Sequence, residues 1–99
     1  MSIEFTQYLM PNGRREQTFI DDMPAEIEAM ADQFIAAGGR YESEMLRDYA
    51  IISLTACYRV GGEEQDVEIE ICKNGPDVPG AVERLIRKSV AWLRDRQAP

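Results

Sequence analysis

Ile3, Phe5, Gln7 and Leu9 alternate with Glu4, Thr6, Tyr8 and Met10, and a period of two predicts a half-buried strand. Pro11-Asn12-Gly13 follows. Proline fixes φ, asparagine tolerates the next position and glycine supplies a positive φ, so a three-residue hairpin is expected, with Glu16 to Ile20 as the returning strand. From Asp22 the period changes: Ile27, Met30, Ala31, Phe34 and Ile35 recur at three-and-four spacing, against Glu26, Glu28, Asp32 and Gln33 on the other side. That spacing predicts an amphipathic helix opening at Asp22-Met23-Pro24 and closing at Gly38-Gly39.

Three more strands are expected. Tyr41 to Leu46 is short, Tyr49 to Val60 is long, and Val67 to Cys72 alternates between Val67, Ile69, Ile71 and Glu68, Glu70, which sends the apolar set to the core and the carboxylates to solvent. Arg47-Asp48 and residues 61–65 are the turns, and Asn74-Gly75-Pro76-Asp77 caps a last helix. Val78, Val82, Leu85, Ile86, Trp92 and Leu93 form its buried stripe. The order ββαβββα, with tight connections, predicts an α+β two-layer sandwich in which two helices cover one face of a five-stranded, mainly antiparallel sheet. At 99 residues the chain makes a single domain spanning 1–99, because too little remains for a second core.

Composition narrows the chemistry. Histidine is absent, which removes the commonest general base and the commonest neutral metal ligand. The net charge of -7 makes direct nucleic-acid binding an unfavourable expectation, since phosphate contacts supply most of that affinity. A basic partner suits it better. The charge is uneven: Arg84, Arg87, Lys88, Arg94 and Arg96 outnumber Glu83 and Asp95 in residues 79–99, so a basic segment follows an acidic body. Its simplest role is a solvated basic face near a helix C-terminus, where cations suit the dipole. No window approaches the apolar length of a membrane span, and the first residues lack a basic leader and carry Glu4, so no membrane insertion, no signal peptide and a cytoplasmic location are expected.

If each strand's apolar set points at the helices, the outer face carries Glu4, Thr6, Tyr8, Glu16, Thr18, Glu42, Glu44, Ser53, Thr55, Cys57, Glu68 and Glu70. Such a face is either a solvated surface, charged against sheet aggregation, or a docking surface on which carboxylates compete with phosphates for lysine and arginine. The partner-binding candidates are Glu4, Glu42, Glu44, Glu68 and Glu70. A divalent-metal site would find oxygen ligands there, but the aspartate spacing of a calcium loop is missing. Cys57 and Cys72 are the only cysteines. They form no CxxC motif, and an acidic surround raises a thiol pKa, so neither a disulfide nor a catalytic cysteine is expected. The glycine sites fit no phosphate-binding loop, Asn74 to Pro79 reads as a capped helix start, and the aromatic residues are too scattered for base stacking.

The hairpin from Phe5 to Arg15, the segment from Met23 to Met30 and the stretch from Val67 to Pro76 resemble small uncharacterised proteins of bacteriophages and prophages, and the similarity spans most of the chain. Small acidic phage proteins with open sheets look like the general type to which many anti-CRISPR proteins belong. Some of those block nucleic-acid binding by presenting acidic surfaces. The resemblance implies no catalytic residue and no cofactor. The expectation is a non-enzymatic protein-binding module, a phage-encoded inhibitor of the anti-CRISPR type, that docks an acidic face on a host protein with a basic surface. The alternative is a self-associating accessory module, a homodimer formed through a sheet edge or the outer face.

Overall fold

The hairpin, helix, three strands and final helix all form. A computed structural model describes residues 3–9, 14–20 and 23–97, with the backbone alone described for residues 9 and 14–19. The elements are β1 (Ile3–Leu9), β2 (Arg14–Ile20), α1 (Ala25–Ala36), β3 (Gly39–Leu46), β4 (Ile51–Val60), β5 (Glu63–Lys73) and α2 (Val78–Gln97). The first turn, Pro11 to Gly13, and the expected helix opening at Asp22 lie outside the described residues.

One sheet holds all five strands, in the order β2-β1-β3-β4-β5. It is mixed. The β1–β2, β3–β4 and β4–β5 pairs are antiparallel, but β3 runs parallel to β1, with Thr6 opposite Glu42 and Leu9 opposite Met45. A mainly antiparallel sheet was expected because the connections are tight, and three of the four pairs agree. The exception arises where the connection contains a helix: α1 carries the chain from β2 across β1 to the other edge of β1, where β3 pairs.

Ile3, Phe5, Tyr41, Ile52, Leu54 and Ala56 from the sheet meet Ile27, Ala31 and Phe34 from α1 and Ala81, Val82, Leu85, Ile86, Val90 and Leu93 from α2 in one buried cluster. Both helices therefore cover the same face. Each of the larger side chains, taken from water, contributes about 1.5–3 kcal/mol. Phe34 lies beside the rings of Tyr41 and Tyr58, at 5.2 and 5.9 Å between centroids. β3 starts two residues earlier than expected, at Gly39, where a Cβ would come within 2.3 Å of the Phe34 ring, so glycine is what lets the strand pass there.

Ser89 is the buried polar residue that the apolar stripe did not predict. Its hydroxyl donates to the Ile86 carbonyl at 2.8 Å and accepts from the Tyr41 hydroxyl at 2.8 Å. Burial pushes the Tyr41 hydroxyl pKa up, partly offset by that hydrogen bond, so Tyr41 stays a neutral donor.

The hairpin between β4 and β5 is shorter than expected, with Val60 opposite Glu63 across Gly61 and Gly62. Both glycines have positive φ, 59° and 86°, as a two-residue turn matching the twist of its strands requires. At the other end of β4, Tyr49 was expected in the strand. Instead Arg47, Asp48 and Tyr49 have φ of 49°, 54° and 70°, a left-handed run costing about 1–2 kcal/mol per residue. Asn74 secures it, donating from its backbone N–H to the Ala50 carbonyl at 3.0 Å and from its side-chain amide to the Tyr49 carbonyl at 2.9 Å.

Candidate interaction surface

The helices leave the other face of the sheet uncovered. Residues paired directly across strands share a face, so the register lists what that surface presents. Thr6, Glu42, Thr55 and Ile69 form one row; Tyr8, Glu44, Ser53 and Ile71 form the next. Arg40, Cys57 and Asp66 make a third row, and Leu46, Ile51 and Lys73 a fourth. Glu4, exposed between buried Ile3 and Phe5, also points outward.

Glu4, Glu42 and Glu44 thus stand where the sequence placed them. Glu42 is held rigidly: the Tyr8 hydroxyl donates to Oε1 at 3.2 Å, Arg40 Nε donates to the same oxygen at 2.9 Å, and the second guanidinium nitrogen also meets it. Arg40 reaches Glu64 as well. It was missed in the sequence because it was read as part of the helix-to-strand connection. The side chains of Glu16 and Thr18 lie outside the described residues.

Glu68 and Glu70 do not stand there. In the register Glu70 is opposite Leu54 and Glu68 opposite Ala56, and both of those partners are buried against the helices. The two carboxylates therefore face α2, while Ile69 and Ile71, expected in the core, are 49% and 66% exposed on the open face. The cause is α2. Its apolar stripe sits over the middle of the sheet, and its flank, Arg84 and Lys88, overhangs β5. Arg84 Nε donates to Glu70 Oε1 at 2.9 Å, Lys88 Nζ donates to Oε2 at 2.7 Å, and Lys88 lies 3.8 Å from Glu68. Glu70 keeps only 12% of its side chain in contact with water. Lys88, and next Arg84, hold its carboxyl below its ordinary pKa, against the opposing effect of burial. A signal for this was present: two residues along a strand and four along a helix both advance about 6–7 Å, so the Glu68/Glu70 and Arg84/Lys88 pairs match in spacing as well as in charge.

Arg84 and Lys88 of the basic segment are therefore committed to the protein's own sheet. Arg87 lies near Glu83 and Glu26, at 3.5 and 3.6 Å, and Arg96 sits 5.4 Å from the centre of the Trp92 ring. Together these contacts neutralise part of the acidic body internally.

Cys57 and Cys72 are both free thiols. Cys57 is buried on the open side, where its Sγ donates to Asp66 Oδ1 at 3.6 Å. Burial, then the Glu42 and Asp66 carboxylates, push its pKa up to about 12, which keeps it protonated and a poor nucleophile. Glu4, Thr6, Ile35, Arg40 and Tyr41 line a cleft of about 90 Å³, well short of the roughly 300–1,000 Å³ of a typical small-molecule site. Among the described residues no group of histidine, cysteine, aspartate or glutamate is arranged to hold a metal ion, and no helix is long and apolar enough to cross a membrane. The open face divides in two: carboxylates around Arg40 on β1 and β3, and isoleucines on β5. Comparison with protein-family models, with curated proteins and with solved structures finds no match to this chain.

Proposed function

We propose that this protein is a non-enzymatic binding module that docks the acidic half of its open sheet face on a basic surface of another protein. The observation that carries the reading is the placement of Glu4, Glu42 and Glu44 on uncovered strands, with Glu42 fixed by Tyr8 and Arg40. A preset carboxylate such as Glu42 loses little side-chain freedom on binding, and the three carboxylates together attract lysine and arginine from a distance. The resemblance to small phage and prophage proteins supports a partner of the host cytoplasm whose own ligand is a phosphate backbone, an inhibitor of the anti-CRISPR type. Glu68 and Glu70 have no part in this surface, because α2 occupies them.

The test compares the parent with a Glu4→Lys, Glu44→Lys variant as bait in bacterial lysate, with circular dichroism confirming that both are folded. Specific prey should be captured by the parent at low salt, released as ionic strength passes about 0.15 M, and missed by the variant. Equal capture of the same prey by both proteins sinks the proposal.

A further inference from the structure

The two isoleucines of β5 belong to a different feature. β5 ends the sheet, with only β4 beside it, so a row of its backbone N–H and C=O groups faces outward. Its first part is protected from pairing by Glu63, Glu64 and Asp66 and by a register irregularity opposite Ala56 and Cys57. The segment from Glu68 to Lys73 is regular, contains no proline, and turns Ile69 and Ile71 to water. Two large apolar side chains on one short stretch of free edge are what a second strand would cover.

We propose that this edge pairs, antiparallel, with β5 of a second copy of the chain, about a two-fold axis at Glu70. The register is argued from self-complementarity. With Glu70 opposite its own copy, Ile69 of each chain faces Ile71 of the other, giving two apolar cross-strand pairs on the open face. Glu68 faces Cys72, so residues 68–72 all pair within the regular segment. Glu70 opposite Glu70 would ordinarily repel, but each is already held by Arg84 and Lys88 of its own helix. Sliding one step toward the chain start sets Glu68 against Glu70 twice, with only Lys88 near Glu68, at 3.8 Å. Sliding the other way puts Ile69 against Lys73 and runs into the Asn74-Gly75-Pro76 turn. The dimer uses β5 and leaves the carboxylates of β1 and β3 free, so it stands or falls apart from the basic-partner proposal.

Light scattering and sedimentation from low micromolar to submillimolar concentration test it. The parent should reversibly form a dimer. Ile69→Lys and Ile71→Lys, each on an exposed site that leaves the fold intact, should raise the dissociation constant about tenfold or more, whereas Glu4→Lys should leave it unchanged. In a Cys72→Ser background, mild oxidation of an Ile69→Cys, Ile71→Cys protein should give a covalent dimer joined 69 to 71 between chains. A parent that stays monomeric throughout, or a dimer indifferent to both lysine substitutions, overturns the proposal; a covalent dimer joined only 69 to 69 or 71 to 71 overturns the register.

Discussion

β3 and β5 carry nearly the same written pattern and use it in opposite senses. Tyr41-Glu42-Ser43-Glu44-Met45 and Val67-Glu68-Ile69-Glu70-Ile71 both alternate glutamate with a less polar residue. In β3 the glutamates face outward and Tyr41 and Ser43 are buried. In β5 the glutamates face α2 and the isoleucines face water. What differs is the layer above. The buried contacts of β3 are with the aromatic and apolar side chains of α1 and with Ser89, whereas β5 lies under Arg84 and Lys88. Alternation thus specifies two faces for a strand, and the opposing layer chooses between them.

The largest effect should come from the layer over β3. Phe34→Ala should cost about 3–5 kcal/mol, a large fraction of the stability of a domain of this size. Thermal or denaturant unfolding measures it. A loss under about 1 kcal/mol would show that β3 is not anchored through that ring.

Next comes charge reversal under α2. Glu68→Lys with Glu70→Lys sets new cations against Arg84 and Lys88, and should destabilise by about 2 kcal/mol or more. The same reversal at Glu44, on the open face, should cost under about 0.5 kcal/mol. Equal costs would mean that both strands present glutamate to solvent and that the contrast between them is wrong.

A titration sharpens the same contrast. Glu70 is held below its ordinary value near 4.5, so its contribution to stability is complete above that value and is lost as pH falls through its folded pKa. The stability gap between the parent and Glu70→Gln should be full at neutral pH and should close in acid. A gap independent of pH would show that Glu70 acts through packing alone.

The thiols give a smaller, kinetic effect. At about pH 8 native Cys57 should resist alkylation and react only on unfolding. Mass spectrometry of labelled protein checks this, and rapid native labelling of Cys57 would place it outside the packed sheet. The smallest stability change belongs to Ile69→Lys and Ile71→Lys, each within about 0.5 kcal/mol in the monomer. Their weight falls on association instead.

Much of the fold was legible in the residues. The periods of two and three-to-four located β1, the regular part of β5 and both helices, because a strand and a helix with one covered face must repeat their apolar positions at those intervals, while turn residues and β-forming composition placed the other strands. Ile27, Ala31, Phe34, Val82, Leu85, Ile86 and Leu93 were assigned to the core in that way and are buried. The part of the candidate surface on β1 and β3 was legible too, since the alternation there agrees with what covers it. The inward glutamates, the place of Arg40 and the exposed isoleucines were not, and neither was the parallel pairing of β1 with β3. By itself the sequence determined which residues alternate, that the chain turns at Gly61-Gly62, and the absence of histidine, all properties read along the chain. Only the tertiary structure decided which face of β5 is inside: a carboxylate can enter a covered layer when cations from a distant helix meet it there, and that meeting depends on how α2 lies across the sheet.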